Sequence, residues 1–345
     1  MISRTTVRRR YLMAALISLL PLTFGTQSAG AYAYDTCGGV PVKWLRGWTN
    51  LSLNTVSLPP GSVWDTRFQN AMWHWNNVKG SSFDFFVLRD TDGTISNDNG
   101  VTEIYFSSNI GTALAVTTFR SRCSDRSIIE TDIGFNLNYS WSTDPFNYDS
   151  PDAPYSFEGV ALHELGHALG LNHEDRWVAT LNSFYPDGGP SGHAKEWDPL
   201  ADDRAGVRFL YPDATTEIDV AASVFKQSGA GSSTLVSSPT IATRGSSATM
   251  ELTFHNFSTS QLTFNIGFYL SSNDIISTAD RLLGSNTGAW ADPGVSLTFS
   301  RTVTIPASVA PGRYWLGFIL DHDRRHTENH EGNNALAMPH AITIN

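Results

Sequence analysis

The residues with the clearest capacity for chemistry lie in one short stretch, from His163 to His173. His163 and His167 are four positions apart, so on a helix both imidazoles project from the same face, about one turn apart. Two imidazoles placed in this way can bind one zinc ion. Glu164 follows the first histidine and is positioned to take a proton from a zinc-bound water rather than to bind the metal. The spacing predicts a helix that begins near Phe157 and carries two zinc ligands and a general base.

Two further residues extend this pattern. Gly170 permits the left-handed backbone that ends a helix, and the chain can then fold back so that His173 supplies a third nitrogen. Three protein ligands leave one coordination position for water and substrate, which distinguishes a catalytic zinc site from a closed structural one. A buried helix that carries histidines by chance is the alternative. The correct spacing of Gly170 and His173 favours catalytic zinc.

The elements that must position this site can be inferred from the surrounding pattern. Phe68, Ala71 and Trp75 recur at helical spacing within residues 63–78 and predict a helix lying on a sheet. Five other stretches are typical of strands: Lys43–Trp48, Phe83–Leu88, Thr102–Ser107, Ala115–Arg120 and Ser127–Asn136. Helix and strands together predict a layered core.

The character of the sequence changes near residues 213–216. Beyond them, short alternating runs are separated by Gly, Pro, Asn and Ser clusters, which is typical of an all-β sandwich. The predicted strands are Asp219–Ser223, Thr249–His255, Leu262–Leu270, Ser296–Ile305 and Tyr314–Asp321. The Ser/Gly-rich segment 228–238 favours a mobile loop within this part. We therefore predict two domains, at residues 34–214 and 217–345.

The first 33 residues have the pattern of a secretory signal peptide. Four arginines precede an apolar run from Tyr11 to Phe24, and small residues follow around Ala29–Ala31. The run is shorter than a membrane span requires, and no later stretch qualifies. Removing the four arginines takes the net charge from −10 to −14, which argues against nucleic acid and anionic membranes as partners. The sequence predicts an exported chain without membrane insertion.

The only two cysteines are Cys37 and Cys123. In an oxidising compartment two cysteines of one domain usually pair, so a disulfide between them is expected.

The stretch His163–His173 resembles the extended zinc signature of the metzincin peptidases, and its surroundings resemble the matrixin-like bacterial members. Thr131–Phe135 resembles the strand before the active-site helix of that group, and Asp202–Tyr211 resembles its closing helix. The resemblance implies an α+β metzincin-like catalytic domain, a twisted mixed sheet with an active-site helix. It also implies an antiparallel edge strand that aligns the substrate, for which Ala113–Phe119 is the candidate.

One position departs from that family's pattern. Metzincins carry a methionine in a tight turn beneath the zinc, and residues 179–186 resemble this turn with Leu181 in the methionine position. Leucine has a similar volume and is apolar, so the swap should cost under about 1.5 kcal/mol. Tyr185 follows at a spacing that differs from the tyrosine of some relatives, which favours a packing role.

Two further features could indicate inhibition of the zinc site by a cysteine and binding of calcium. Cys37–Pro41 superficially resembles the matrixin cysteine switch, but it adjoins the expected signal cleavage and would leave Cys123 unpaired, so the disulfide is preferred. The acidic stretches Asp90–Gly93 and Asp144–Asp152 offer oxygen ligands for calcium. Neither matches an EF-hand loop, which favours solvated turns.

The second half resembles the bacterial CARDB module, an immunoglobulin-like sandwich. The similar segments are Phe268–Asp274, Pro311–Trp315 and Glu328–Asn334. The resemblance implies that this domain binds a surface or protein ligand, without specifying which. His322, His326 and His330 fall at a strand end and loop, where a solvated turn is favoured over a metal site.

These patterns together predict a secreted zinc endopeptidase that cleaves proteins or peptides. Two other functions stay open: an adhesion protein with a relict zinc domain, and a zinc hydrolase of small amides. Glu164 argues against a relict, because a dead site needs no carboxylate beside its metal.

Overall fold

The computed structural model describes the backbone of Ala14–Leu16 and residues 32–345, except 91–94, 97, 145–153, 186–197 and 230. The predicted signal peptide therefore lies almost wholly outside the described residues. In the described part the chain is mostly β with three α-helices. No helix there is long and apolar enough to cross a membrane.

Residues 32–212, together with the short strand at residues 14–16, form what we call the mixed-sheet region. Its strands are β1 (Ala14–Leu16), β2 (Thr36–Cys37), β3 (Val40–Pro41), β4 (Trp48–Asn54), β5 (Asp84–Asp90), β6 (Thr102–Ser107), β7 (Ala115–Arg122), β8 (Ser127–Asn136), β9 (Trp141–Ser142) and β10 (Tyr155–Ser156). Its helices are α1 (Val63–Asn76), α2 (Phe157–Ala168) and α3 (Ala201–Leu210).

The main sheet of this region has the order β1-β7-β8-β6-β4-β5. The central pairs are parallel, whereas β7 runs antiparallel to β8. The strand predicted at Ala113–Phe119 is therefore antiparallel to its neighbour, with only the three-residue β1 on its other side among the described strands.

Helix α2 lies at the centre of the mixed-sheet region, and all twelve of its residues are buried. The Ser156 hydroxyl accepts a hydrogen bond from the Gly159 amide at 3.1 Å and caps the helix start. Helix α1 packs beside it with Phe68, Ala71 and Trp75 buried, and the Trp75 indole donates to the Leu162 carbonyl at 2.9 Å. The predicted helices at 63–78 and from Phe157 are thus confirmed.

The predicted strand at Lys43–Trp48 is wrong. The chain turns at residues 45–47, where Gly47 has φ +69°, and the strand begins only at Trp48. Leu51 and Leu53 of this strand are fully buried in the core. The apolar residues before the glycine suggested a strand, but the glycine's positive φ ends extended pairing there.

Residues 217–345 form what we call the two-sheet region. Its strands are β11 (Val220–Ser223), β12 (Phe225–Gly229), β13 (Ser232–Leu235), β14 (Ile241–Ala242), β15 (Ser247–Asn256), β16 (Leu262–Ser271), β17 (Arg281–Ala291), β18 (Ser296–Thr304), β19 (Gly312–Leu320), β20 (Ala335–Ala337) and β21 (Ile342–Ile344). One sheet has the order β11-β15-β18 and the other β14-β21-β19-β16-β17, with β20 beside β19.

The two sheets share one hydrophobic core, which includes Met250 and Phe254 from one sheet and Phe264 and Phe318 from the other. The prediction of a mobile loop at 228–238 is wrong, because β12 and β13 pair as an antiparallel hairpin there. The Ser and Gly residues of this segment gave no strand pattern, but backbone pairing does not require apolar side chains on both strands.

Candidate metal centre

The three predicted histidines come together at the end of α2. The Nε2 atoms of His163, His167 and His173 lie 3.0, 3.2 and 3.3 Å from one another. In the part of the chain that the structure describes, this is the one group of three or more His, Cys, Asp or Glu side chains with metal-ligand proximity. Zinc bonded tetrahedrally to imidazoles at about 2.0–2.1 Å holds the nitrogens roughly 3.3 Å apart, so the three residues fit this ion.

The backbone after α2 brings the third histidine to the other two. Leu169 caps the helix, Gly170 has φ +99°, and the Leu171 amide donates back to the Gly166 carbonyl at 3.1 Å. This is the helix ending for which the sequence predicted a glycine. The Asn172 amide then donates to the Ala33 carbonyl at 2.9 Å, which ties the turn to the start of the described chain.

The other ring nitrogen of two histidines is held by a backbone carbonyl. His163 Nδ1 lies 2.9 Å from the Thr180 carbonyl, and His167 Nδ1 lies 3.0 Å from the Leu171 carbonyl. Because a carbonyl oxygen can only accept, each Nδ1 must carry the proton and each Nε2 presents its lone pair. These contacts fix the tautomer that metal binding requires.

Burial keeps two of the imidazoles neutral. It lowers the pKa of His167 to about 3 and the pKa of His173 to about 4. A neutral imidazole is the form that coordinates a metal, so these two residues need no deprotonation near neutral pH.

Glu164 is fully buried beside the histidines. Its Oε2 accepts a hydrogen bond from the Thr117 hydroxyl of β7 at 2.6 Å. Within the described residues Oε1 has no hydrogen-bond partner, and burial raises the pKa of this carboxyl to about 8. A buried carboxylate with one oxygen unsatisfied is costly, and such a group next to a ligand cluster is typical of a functional site.

Leu181 packs against the helix that carries His163 and His167. It is buried, and its side chain packs so closely on Gly166 that a Cβ there would meet Leu181 Cδ2 at 2.8 Å. The adjoining turn is held by Asp203, which accepts from the Thr180 and Leu181 amides at 2.7 and 3.1 Å. Burial raises the pKa of Asp203 to about 6.

Three residues important to this geometry were not identified from the sequence. Thr117 orients Glu164, the Thr180 carbonyl orients His163, and Asp203 holds the turn that carries Thr180. The segments that contain them were noticed through the family resemblance, as the candidate edge strand, the turn at 179–186 and the closing helix, but the three residues were given no role. Thr117 carried no signal, because it lies 47 positions from its partner.

The remaining candidates fall outside the metal centre. Cys37 and Cys123 form a disulfide, so the first is no switch thiol. The Tyr185 hydroxyl accepts from the Ser156 amide at 3.2 Å, and its ring packs edge-on against Tyr155, which agrees with the expected packing role. Of the calcium candidates Asp90–Gly93 and Asp144–Asp152, only Asp90 and Asp144 are among the described residues, and the rest of both stretches lies outside them.

Comparison with known proteins agrees with this geometry. A family model described as matrixin, a peptidase family, matches residues 50–212. The match supports zinc-dependent peptidase activity, and hence a metalloprotease whose substrates are proteins or peptides.

The resemblance to solved structures is weak and covers only part of the chain. A crystal structure of the CARDB domain of a Pyrococcus furiosus protein, in complex with di-metal ions, has a TM-score of 0.27 and 13% identity, covering 37% of this chain and 90% of its own. The solution structure of the same domain has a TM-score of 0.24 and 16% identity, and the match covers 32% of this chain and 89% of that domain. Pseudomonas fluorescens alkylpurine DNA glycosylase AlkC has a TM-score of 0.23 and 9% identity, and the match covers 41% of this chain and 32% of the glycosylase. Scores this low do not establish a shared fold.

Proposed function

We propose that this chain is a secreted zinc-dependent endopeptidase of the metzincin type, which hydrolyses peptide bonds in proteins. The observation that carries the proposal is the convergence of three Nε2 atoms within 3.3 Å, with the buried carboxylate of Glu164 one residue after the first ligand. The matrixin match over residues 50–212 supports the same reaction class.

Each residue has a defined part in the proposed reaction. His163, His167 and His173 hold the zinc ion. When bound, zinc polarises the substrate carbonyl and lowers the pKa of water. Glu164 takes a proton from the attacking water at its carboxylate and passes it to the leaving amine. Thr117 fixes one carboxylate oxygen of Glu164, which leaves the other for this proton transfer.

The edge of β7 is the proposed alignment surface for the substrate. On one side β7 pairs antiparallel with β8, and on the other it pairs with the backbone of Ala14–Leu16 in the described chain. That short strand belongs to the expected signal peptide and would leave with it. A peptide could then add to the same edge through ladder hydrogen bonds.

The domain division and the destination of the protein complete the proposal. Residues 1–33 are removed on export, residues 34–214 form the peptidase domain, and residues 217–345 form an immunoglobulin-like domain of the CARDB type. The Cys37–Cys123 disulfide supports an oxidising destination.

The decisive experiment is hydrolysis of a mixed peptide library by the purified mature protein and its Glu164→Gln variant, with metal analysis of both. We expect one zinc per chain in both proteins, and loss of about 10²–10⁴-fold in kcat/KM in the variant, because general base catalysis contributes that much. If both proteins bind zinc and neither cleaves any peptide over a range of pH and calcium, the peptidase proposal fails. The two-sheet region would then be the functional part.

A further inference from the structure

The segment that follows the third histidine is part of the metal centre's support. We call Glu174–Tyr185 the ligand loop. Its Thr180 carbonyl accepts from His163, and its Leu181 packs under α2 at Gly166. The Glu174 amide donates to the Leu181 carbonyl at 3.0 Å, which closes the loop directly after His173. The conformation of this loop therefore governs two of the three histidines.

The hairpin β12–β13 of the two-sheet region contacts the outer side of this loop. The Phe184 amide donates to the Gly231 carbonyl at 3.0 Å, and the Gln227 side-chain amide donates to the Asp175 carbonyl. Gly231 has φ +76°, and a Cβ at this position would lie 2.8 Å from both carboxylate oxygens of Asp175. A side chain at this position could be accommodated only if the Asp175 carboxylate moved away.

The Asp175 carboxylate that meets Gly231 is itself engaged inside the loop. It accepts from the amide and hydroxyl of Ser183 at 2.9 and 2.7 Å. A side chain at Gly231 would displace this carboxylate and break the two hydrogen bonds that join both ends of the loop.

A second contact comes from strand β18. The Ser296 hydroxyl accepts from the Val178 amide at 3.3 Å. Val178 is 1% exposed and belongs to the hydrophobic core of the two-sheet region, together with Leu200 and Ala201. The ligand loop is thus anchored in a core that lies outside its own region.

The junction between the regions is also fixed by buried charge. Arg204 and Arg208 of α3 both pair with Glu217 at the start of the two-sheet region. Arg208 additionally donates to the Phe257 and Ser258 carbonyls at 2.8 and 3.1 Å. These contacts hold the two-sheet region against the helix that carries Asp203, the residue that holds the Thr180 turn.

We infer that the two-sheet region positions the metal centre, and that Gly231 and Ser296 are positioning residues for zinc binding. The region contacts the ligand loop from outside. It thereby keeps the Thr180 carbonyl in contact with His163, and it fixes the position of the chain that follows His173. Full zinc affinity then requires the two-sheet region to be docked. This inference rests on the zinc-binding part of the proposed function, and it is independent of whether the chain cleaves peptides.

The hairpin provides a matched pair of variants for the test. Gly229 has φ +80°, close to that of Gly231, but a Cβ there would meet nothing within 4 Å. Gly229→Val therefore introduces the same backbone strain as Gly231→Val without the collision with Asp175. Both are made in the full chain, and zinc affinity is measured by competition with a chromogenic chelator. The visible absorption of the cobalt-substituted proteins reports the ligand arrangement directly.

We expect Gly231→Val to weaken zinc binding about tenfold or more and to change the cobalt spectrum, since loss of outer partners costs 10–100-fold in metal affinity. Gly229→Val should match the wild type in both. The inference is overturned if the two variants bind zinc equally, whether tightly or weakly, or if the wild type binds no zinc.

Ser296→Ala gives an answer if Gly231→Val does not fold. It removes the acceptor of the Val178 amide, and we expect weaker zinc binding and an altered cobalt spectrum. Its control is Ser300→Ala on the same strand, where the serine is exposed. Equal zinc affinity of these two variants overturns the inference.

The proposed function can fail independently of this inference. A wild type that binds zinc but cleaves no peptide would contradict the peptidase proposal and leave the result on positioning unchanged.

Discussion

Two buried glutamates distinguish the metal centre from the junction between the regions. Glu217 at the junction is 3% exposed and is paired with Arg204 and Arg208. Glu164 in the metal centre is 0% exposed and has the Thr117 hydroxyl on one oxygen, with no ion pair among the described residues. Both carboxylates are buried, but only that of Glu217 is paired with positively charged side chains.

The contrast indicates what each carboxylate does. A buried charge that is paired and hydrogen-bonded contributes to how two elements fit together, and breaking it leaves its partners uncompensated. A buried carboxylate without a cation is expensive in the metal-free chain and acquires compensation only when a cation or proton arrives. The junction is therefore expected to respond to mutation in stability, and the metal centre in activity.

The largest expected effect on stability is at the junction. Glu217→Gln leaves Arg208 without its anion and Arg204 with only Asp198 at 3.6 Å, and we expect the free energy of unfolding to fall by about 3–5 kcal/mol. Urea unfolding at one fixed zinc concentration measures this, because bound metal adds to stability. The exposed Asp274→Asn is the control, with a change within about 0.5 kcal/mol. An unchanged free energy of unfolding in Glu217→Gln would show that the paired carboxylate at the junction does not contribute to stability.

The next effect is expected on activity without loss of metal. Thr117→Val removes the hydroxyl that donates to Glu164 Oε2, and hydrogen bonds to charged groups contribute about 1.5–3 kcal/mol. We expect kcat/KM on a peptide substrate to fall roughly 10–100-fold by the same principle, with zinc content unchanged. The neighbouring Thr118→Val is the matched control, because its hydroxyl lies against Asp132 at 3.3 Å. Equal activity of both variants would show that Thr117 does not orient the base.

The smallest effect is expected in the pH dependence of stability. Burial raises the pKa of Asp219 from 3.8 to about 7, with Asn333, Arg204, Glu217 and Glu328 facing it. The folded chain therefore holds this proton at a pH where the unfolded chain has released it, and stability falls as pH rises from about 4 to 7.

Asp219→Asn removes that titration, so its unfolding free energy should decline less steeply over the same pH window. Chemical unfolding at a series of pH values measures the slope, and Asp274→Asn should retain the wild-type slope. Asp35 and Asp132, whose pKa values burial also raises to about 7, titrate with the same sign, so the variant retains part of the decline. A slope as steep in Asp219→Asn as in the wild type would contradict the prediction.

The success of sequence-based prediction depended on how clearly buried apolar residues mark each element. Strands Thr102–Ser107 and Ser127–Asn136 were predicted with the bounds observed, and helix α2 begins at Phe157 as expected. Strand β17 (Arg281–Ala291) and the hairpin β12–β13 were missed, because few of their side chains are both apolar and buried. Backbone pairing with the neighbouring strand of the chain forms them, and such pairing leaves little trace in the side-chain pattern.

The sequence by itself determined the candidate metal-ligating set. Eleven consecutive residues carry His163, Glu164, His167, Gly170 and His173, and helix geometry with one left-handed glycine is sufficient to gather them. The cysteine pair was likewise predictable by count alone.

Only the tertiary structure decided how that set is oriented and supported. Thr117 lies 47 positions from Glu164, and the Thr180 carbonyl reaches His163 across 17 positions. Gly231 reaches the ligand loop from the two-sheet region, 47 positions after Phe184, whose amide donates to its carbonyl. The physical reason is that a ligand's identity follows from its side chain, whereas its tautomer, its burial and the fixity of its loop depend on groups that folding brings from elsewhere in the chain.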